Sequence, residues 1–178
     1  MNKNIALGIL VYNEENHITA VLNDLKFFNL KIYIVNDAST DMTMDEINKF
    51  DYQNIEIITN SKNLGAGVST KILLNKAKED GYKFLIKIDG DGQFSSNDIK
   101  RIINIYQEKD YKFIKSNRFW ESGIDGNIPT IRYLGNLIAT LLLQVSSGTN
   151  KIYDPLNGLF GISLEINKYL NHKSYPKR

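Results

Sequence analysis

Short apolar runs rich in isoleucine, valine and tyrosine recur along this chain, and helical repeats fall between them. That alternation constrains the fold more than any other feature. Ile5–Tyr12, Lys31–Asn36, Ile55–Thr59 and Phe84–Ile88 read as buried strands, and Lys112–Lys115 as a fifth. Asn16–Phe27 carries Ile18, Val21, Leu22 and Leu25 on one helical face, and Gly67–Asp80 carries Val68, Ile72, Leu73 and Ala77. Ser96–Glu108 gathers Ile99, Ile102, Ile103 and Tyr106, with Ser95 or Ser96 as its cap, and Thr43–Phe50 is a shorter helix. Strand–helix alternation predicts an α/β fold with a mainly parallel central sheet flanked by helices. The 178 residues suit one domain, 1–178, with a core of useful size.

In such sheets ligands bind beyond the carboxyl ends of the strands, and the polar clusters fall there. The first strand runs into Asn13-Glu14-Glu15-Asn16 and the second into Asn36-Asp37-Ala38-Ser39-Thr40-Asp41. The third runs into Asn60-Ser61-Lys62-Asn63-Leu64-Gly65 and the fourth into Asp89-Gly90-Asp91-Gly92-Gln93. Any one cluster reads equally well as caps for the following helix. Four related loops on one edge point to a single site.

The fourth cluster carries the most chemistry. Residues i and i+2 of an extended segment point to the same side, so Asp89 and Asp91 are expected to share one cation, with Gln93 joining through its carbonyl. Oxygen donors of this kind suit Mg²⁺ or Mn²⁺. If a diphosphate leaves in the reaction, such a metal would stabilise its developing negative charge. The alternative is a tight surface turn, because Asp-Gly pairs favour turns. Lys115 and Arg118 follow the fifth strand and add positive charge. Lys115 by default is a solvated surface lysine, whereas Arg118 stands beside Phe119 and Trp120.

Composition excludes other classes. A net charge of +2 and no dense basic block argue against nucleic acid. Without cysteine there are no disulfides or thiolate metal sites, and two lone histidines, His17 and His172, argue against a zinc site. No run approaches the roughly 20 apolar residues of a membrane span, and Ile5–Tyr12 leads into Asn13-Glu14-Glu15 rather than a cleavage site. A cytoplasmic protein is expected, with membrane contact only at the surface.

Taken in order, "LVYNEENHI", "IVNDASTDMT", "NLGAG", "KIDGDGQF", "SNRF" and "DPLNGLFGI" resemble the motifs of inverting family-2 glycosyltransferases of the GT-A fold. The resemblance runs from residue 5 to about 165. It is greatest to the branch holding dolichol-phosphate mannose synthase and bacterial polyprenyl-phosphate glycosyltransferases. It implies that Tyr12, Asn13 and Glu14 lie beside the donor nucleotide and that Asp37 holds its base or ribose. It further implies that Asp89, Asp91 and Gln93 hold metal and diphosphate, that Arg118 contacts phosphate, and that Asp154 faces the reacting centre. "NLGAG" then reads as a donor-side loop that includes Gly65 and needs close backbone approach. It lacks the Gly-Lys-Ser/Thr of a phosphate-binding loop. Three positions depart from the pattern: Val11 for proline, Asn36 for the first aspartate of a pair, and Leu159 for phenylalanine.

The implied reaction is a single displacement from a UDP- or GDP-linked sugar, with inversion. A polyprenyl phosphate acceptor is already an anion and needs no strong base. A hydroxyl on a growing surface glycan needs one, and Asp154 is then the candidate, its other reading being a cap before Pro155. The helical stretch 130–147 is too short to span a bilayer and suits an interfacial amphipathic helix at the cytoplasmic face, or else an ordinary core or dimer helix. The last residues, "NHKSYPKR", suggest a chain cut short relative to that branch. A non-catalytic nucleotide-binding subunit is a further alternative. A sugar-phosphate nucleotidyltransferase is disfavoured, because "YNEENH" has no glycine-rich basic loop.

Overall fold

All seven residues of β1 (Ile5–Val11) are buried, the mark of a parallel central strand covered on both faces. The computed structural model describes residues 4–109, 111–117, 130–148 and 153–166. After β1 come α1 (Ile18–Leu25), β2 (Lys31–Asn36), α2 (Thr43–Asn48), β3 (Ile55–Thr59), α3 (Ala66–Glu79), β4 (Phe84–Asp89), α4 (Ser96–Lys109), β5 (Phe113–Lys115), α5 (Thr130–Ser147) and β6 (Phe160–Ser163). The sheet order is β3-β2-β1-β4-β6-β5. β1 pairs in parallel with β2 and β4, β2 pairs in parallel with β3, and β6 runs antiparallel to β4.

The expected α/β architecture is therefore present. One strand was not expected: β6 is four residues long and includes Gly161, and a glycine weakens the strand pattern. Predicted helix ends shift by one or two residues. α1 gives way to a single 3₁₀ turn, Lys26–Phe28, closed by Asn29 in the left-handed region at φ 49°. For α4 the cap is Ser95 rather than Ser96, since Ser95 Oγ accepts the Asn97 N–H at 3.0 Å.

Strand alternation splits the core in two. Ile5, Leu7, Ile9 and Val11 of β1 and Phe84, Ile86 and Ile88 of β4 pack with Ile18, Leu22 and Leu25 of α1 and Ile99 and Ile102 of α4. The opposite face sets Ala6, Leu10, Tyr33, Val35 and Leu85 against Leu73, Leu74 and Ala77 of α3.

The chain divides into two compact units, Met1–Ile114 with Leu159–Arg178, and Lys115–Gly158. Within the second, the Lys115 ammonium donates to the Asn157 carbonyl and Asn157 Nδ2 donates to the Ser116 carbonyl. Lys115 is thus half-buried and engaged, not the freely solvated lysine that sequence suggests. Thr140 Oγ1 donates to the carbonyls of Asn136 at 2.8 Å and Tyr153 at 3.2 Å, which ties α5 to the segment leading to Asp154.

Candidate active site

Because β1, β2, β3 and β4 are parallel, the four polar loops leave the sheet at one edge. The chain steps outward from β1 through β2 to β3, then returns to place β4 on the other side of β1. That reversal is the switch point at which open α/β sheets bind ligands. The loops after β1 and β4 flank it.

Gly90 brings those two loops together. Its N–H donates to the Leu10 carbonyl at 2.9 Å. A Cβ at this position would lie 2.8 Å from Val11 Cγ1, 3.0 Å from the Leu10 carbonyl and 3.4 Å from Glu14 Cγ. Only glycine fits without displacement, and its fit seats the Asp89–Asp91 segment against Glu14. The strand ends at Asp89, so Asp91 belongs to the following turn. Strand alternation therefore does not set the direction of Asp91, contrary to the extended-segment expectation. Asp91 Oδ1 instead accepts the Gln93 N–H at 3.0 Å, and Gly92 turns the chain with φ 71°.

Asp89 forms an ion pair with Lys87, two residues back on the same strand. Among the described residues, neither Asp89 Oδ2 nor Asp91 Oδ2 takes part in a hydrogen bond. Also among the described residues, no group of three or more His, Cys, Asp or Glu side chains forms a metal cluster. Two hard carboxylates, each tied at one oxygen and open at the other, fit Mg²⁺ or Mn²⁺. Such ions are held by one or two carboxylates and complete their shell with water and substrate phosphate. Asp89 and Asp91 would hold the ion, with the exposed Gln93 beside them.

The loops after β1 and β2 are stitched together. Asn13, at φ 59°, donates its N–H to Ser39 Oγ at 3.0 Å, and its Oδ1 accepts the Thr40 N–H at 2.8 Å. The Glu14 N–H donates to Thr43 Oγ1 at 2.7 Å, and the Glu15 N–H to Asp41 Oδ2 at 3.1 Å. Glu15 Oε2 accepts the Met42 N–H at 2.9 Å in return. Glu14 Oε2 lies 3.0 Å from His17 Nδ1, and Tyr12 is exposed at the end of β1. The polar residues here bridge two loops rather than merely cap helices. Ser39 and Asp41 stood in the second polar cluster with no role of their own, and Thr43 lay outside the site expected from sequence. The one available signal was their density in "NDASTDMT".

Asp37 is buried and saturated. Its Oδ1 accepts Asn60 Nδ2 at 2.7 Å and the Leu64 N–H at 2.9 Å, and its Oδ2 accepts the Gly65 N–H at 2.8 Å. Burial pushes the carboxyl up, but these bonds together outweigh it and hold its pKa below the ordinary value. Asp37 thereby organises the loop from Asn60 to Gly65. Gly65 has φ 83°, and among the described residues no heavy atom beyond its two chain neighbours lies within 4 Å of a Cβ built there. Within the protein, the glycine is required for its backbone angle rather than for close approach.

A lowered folded pKa contributes stability that is present above the unfolded value and lost as pH falls through the folded one. Asp37→Asn is expected to cost about 1–3 kcal/mol at neutral pH, since an amide cannot accept all of these donors. Its deficit against wild type should narrow in acid. Urea midpoints for both proteins across the acid range check this, and a deficit independent of pH would overturn it.

Asp154 is buried, and its carbonyl accepts the Asn157 N–H at 3.4 Å. Arg118 lies outside the described residues.

A mainly parallel sheet flanked by helices, with carboxylate-bearing loops at its switch point, is the α/β architecture of GT-A domains. The profile of Glycosyl transferase family 2 matches residues 7–168, and the chain belongs to that family. UDP-N-acetylglucosamine–dolichyl-phosphate N-acetylglucosaminyltransferase of Methanococcus voltae is 29% identical over 192 aligned positions, covering 99% of this chain and 76% of that enzyme. An uncharacterised protein of Methanocaldococcus jannaschii is 29% identical over 145 residues, 78% of this chain. Glucosyl-3-phosphoglycerate synthase of Mycobacterium tuberculosis, solved with Mn²⁺, UDP and phosphoglyceric acid, superposes with a TM-score of 0.70 over 93% of this chain at 18% identity, a likeness of fold. The chain spans 60% of the length of the M. jannaschii protein and 57% of that of the synthase.

Proposed function

We propose that this chain transfers a sugar from a nucleotide-diphosphate sugar to a polyprenyl phosphate, inverting the anomeric configuration. The observation that carries the reading is the seating of the Asp89–Asp91 turn against Glu14 at the switch point, enforced by Gly90. The acceptor phosphate oxygen attacks the anomeric carbon, and the bond from that carbon to the diphosphate breaks. A divalent ion on Asp89 and Asp91 would neutralise charge on the leaving diphosphate. Tyr12, Asn13 and Glu14 border the nucleotide. Asp37 supports the nucleotide side by ordering the loop around Gly65. Arg118 meets phosphate, and Asp154 serves the acceptor.

The choice of a lipid phosphate acceptor is supported by the M. voltae relative, whose name specifies dolichyl phosphate. It is also supported by α5. Leu137, Ile138, Leu141, Leu142 and Val145 are exposed, Leu142 at 67% and Val145 at 85%, and their spacing places them along one helical face. Among the described residues no helix is long and apolar enough to cross a membrane. The proposed contact is made by α5 lying in the interface at the cytoplasmic face.

The test is sugar transfer from a panel of UDP- and GDP-sugars, with Mg²⁺ or Mn²⁺, to a polyprenyl phosphate or the matching alcohol. Metal-dependent glycolipid is expected with the phosphate alone. Donor hydrolysis without glycolipid would overturn the acceptor and keep the transferase. The absence of product and hydrolysis together would overturn both.

A further inference from the structure

Lys87 is a charged residue inside the sheet. It lies in the middle of β4, 5% exposed, between Ile86 and Ile88. In the ladder it stands beside Gly8 of β1 and Phe160 of β6. Gly8 has no side chain to crowd it, and a Cβ there would already approach Leu73 Cδ1 to 3.1 Å. A buried ammonium is costly unless paired, and its partner is Asp89 Oδ1. The Asp89 side chain is 39% exposed. One carboxylate thus serves two sides: Oδ1 pairs with a cation held inside the sheet, and the side chain stays partly open to solvent.

We infer that Lys87 is an internal counter-cation that weakens the hold of Asp89 and Asp91 on a divalent ion arriving alone, so that the ion is taken up together with the negative charge of a nucleotide diphosphate. The inference rests on the nucleotide-sugar reading above. Two aspartates without Lys87 present two negative charges to the metal, and with Lys87 they present one. The fixed positive charge also sits within reach of the metal in a half-screened setting, where like charges still repel. The diphosphate supplies the missing negative charge, which makes metal and nucleotide binding cooperative. Lys87 acts here as a positioning residue, through Asp89.

The experiment measures Mn²⁺ binding by the loss of the free-ion electron paramagnetic resonance signal, with and without UDP or GDP. It uses wild type, Lys87→Met and Lys87→Arg. Methionine matches the buried stem without the charge. Lys87→Met is expected to tighten Mn²⁺ binding in the absence of nucleotide by about tenfold, the scale of one unit charge removed a few ångströms from the ion, and to shrink the gain from nucleotide. Lys87→Arg keeps the charge and should stay as weak as wild type. Unchanged or weaker Mn²⁺ binding by Lys87→Met, or tightening by Lys87→Arg as well, would overturn the inference while leaving the transferase reading in place. If wild type takes up no Mn²⁺ even with UDP or GDP, the nucleotide-sugar reading fails and the inference falls with it.

Discussion

Asp91→Asn is expected to lower sugar transfer by about a hundredfold or more, roughly 3 kcal/mol of transition-state stabilisation, with little change in folding stability. The substitution separates charge from shape. Asp91 lies in the turn after β4, and its Oδ1 accepts the Gln93 N–H at 3.0 Å. An asparagine carbonyl accepts the same bond, so the turn keeps its local support. What disappears is one of the two negative charges proposed to hold the metal against the leaving diphosphate, where electrostatic effects are usually large. Single-turnover rates at saturating donor and acceptor, measured across a metal titration, check this. Near wild-type turnover with an unchanged metal requirement would remove Asp91 from the reaction. An equal loss of thermal stability would show a structural role instead.

The largest expected effect on folding comes from Gly161→Ala. A Cβ at this position in β6 would lie 2.5 Å from Phe84 Cζ, 2.6 Å from Phe84 Cε1 and 2.7 Å from Ile102 Cγ2. Neither neighbour has easy room to move. Phe84 is fully buried and stacks on Tyr106, with ring centroids 3.9 Å apart. Ile102 sits 3% exposed on α4. The backbone is no freer, because Gly161 pairs with Ile86 in the β4–β6 ladder. Overpacking of this kind costs about 1–3 kcal/mol, and three simultaneous clashes place Gly161→Ala at the upper end. A urea titration reads the loss directly. The double variant Gly161→Ala, Phe84→Leu should recover part of it by removing the clashing ring atoms. A single variant as stable as wild type would show that the ring and strand shift cheaply.

Much of the fold was legible in order along the chain. Ile5, Leu7, Ile9 and Val11 alternate with Ala6 and Leu10, and all are buried, so the run reads as a strand covered on both faces. The α1 stripe of Ile18, Val21, Leu22 and Leu25 is buried as its spacing implies. These signals are local: a strand or helix repeats over a few residues, and the repeat is visible without knowing the partner. The loops that follow the parallel strands were legible for the same reason, since the edge they share follows from the strand direction.

Other features were not legible because they depend on residues far apart in sequence. Ser39, Asp41 and Thr43 meet the loop after β1 across 26 to 29 positions. Asp37 meets Leu64 and Gly65 across 27 and 28 positions. Lys87 was visible as a lysine within an apolar run, but the burial that makes its pairing with Asp89 costly to break arises only once β1 and β6 enclose β4. β6 itself depends on the partner strand that its four residues find.

By itself, then, the sequence determined the element types, the parallel class of sheet and the edge on which chemistry gathers, because periodicity and turn chemistry act over short distances. The tertiary structure alone decided the strand order, the switch point between β1 and β4, the fit of Gly90 against Leu10 and Val11, and the division of Asp89 between a buried lysine and the open edge. Those depend on which surfaces meet, and the meeting is settled by packing the two apolar faces of one sheet at the same time.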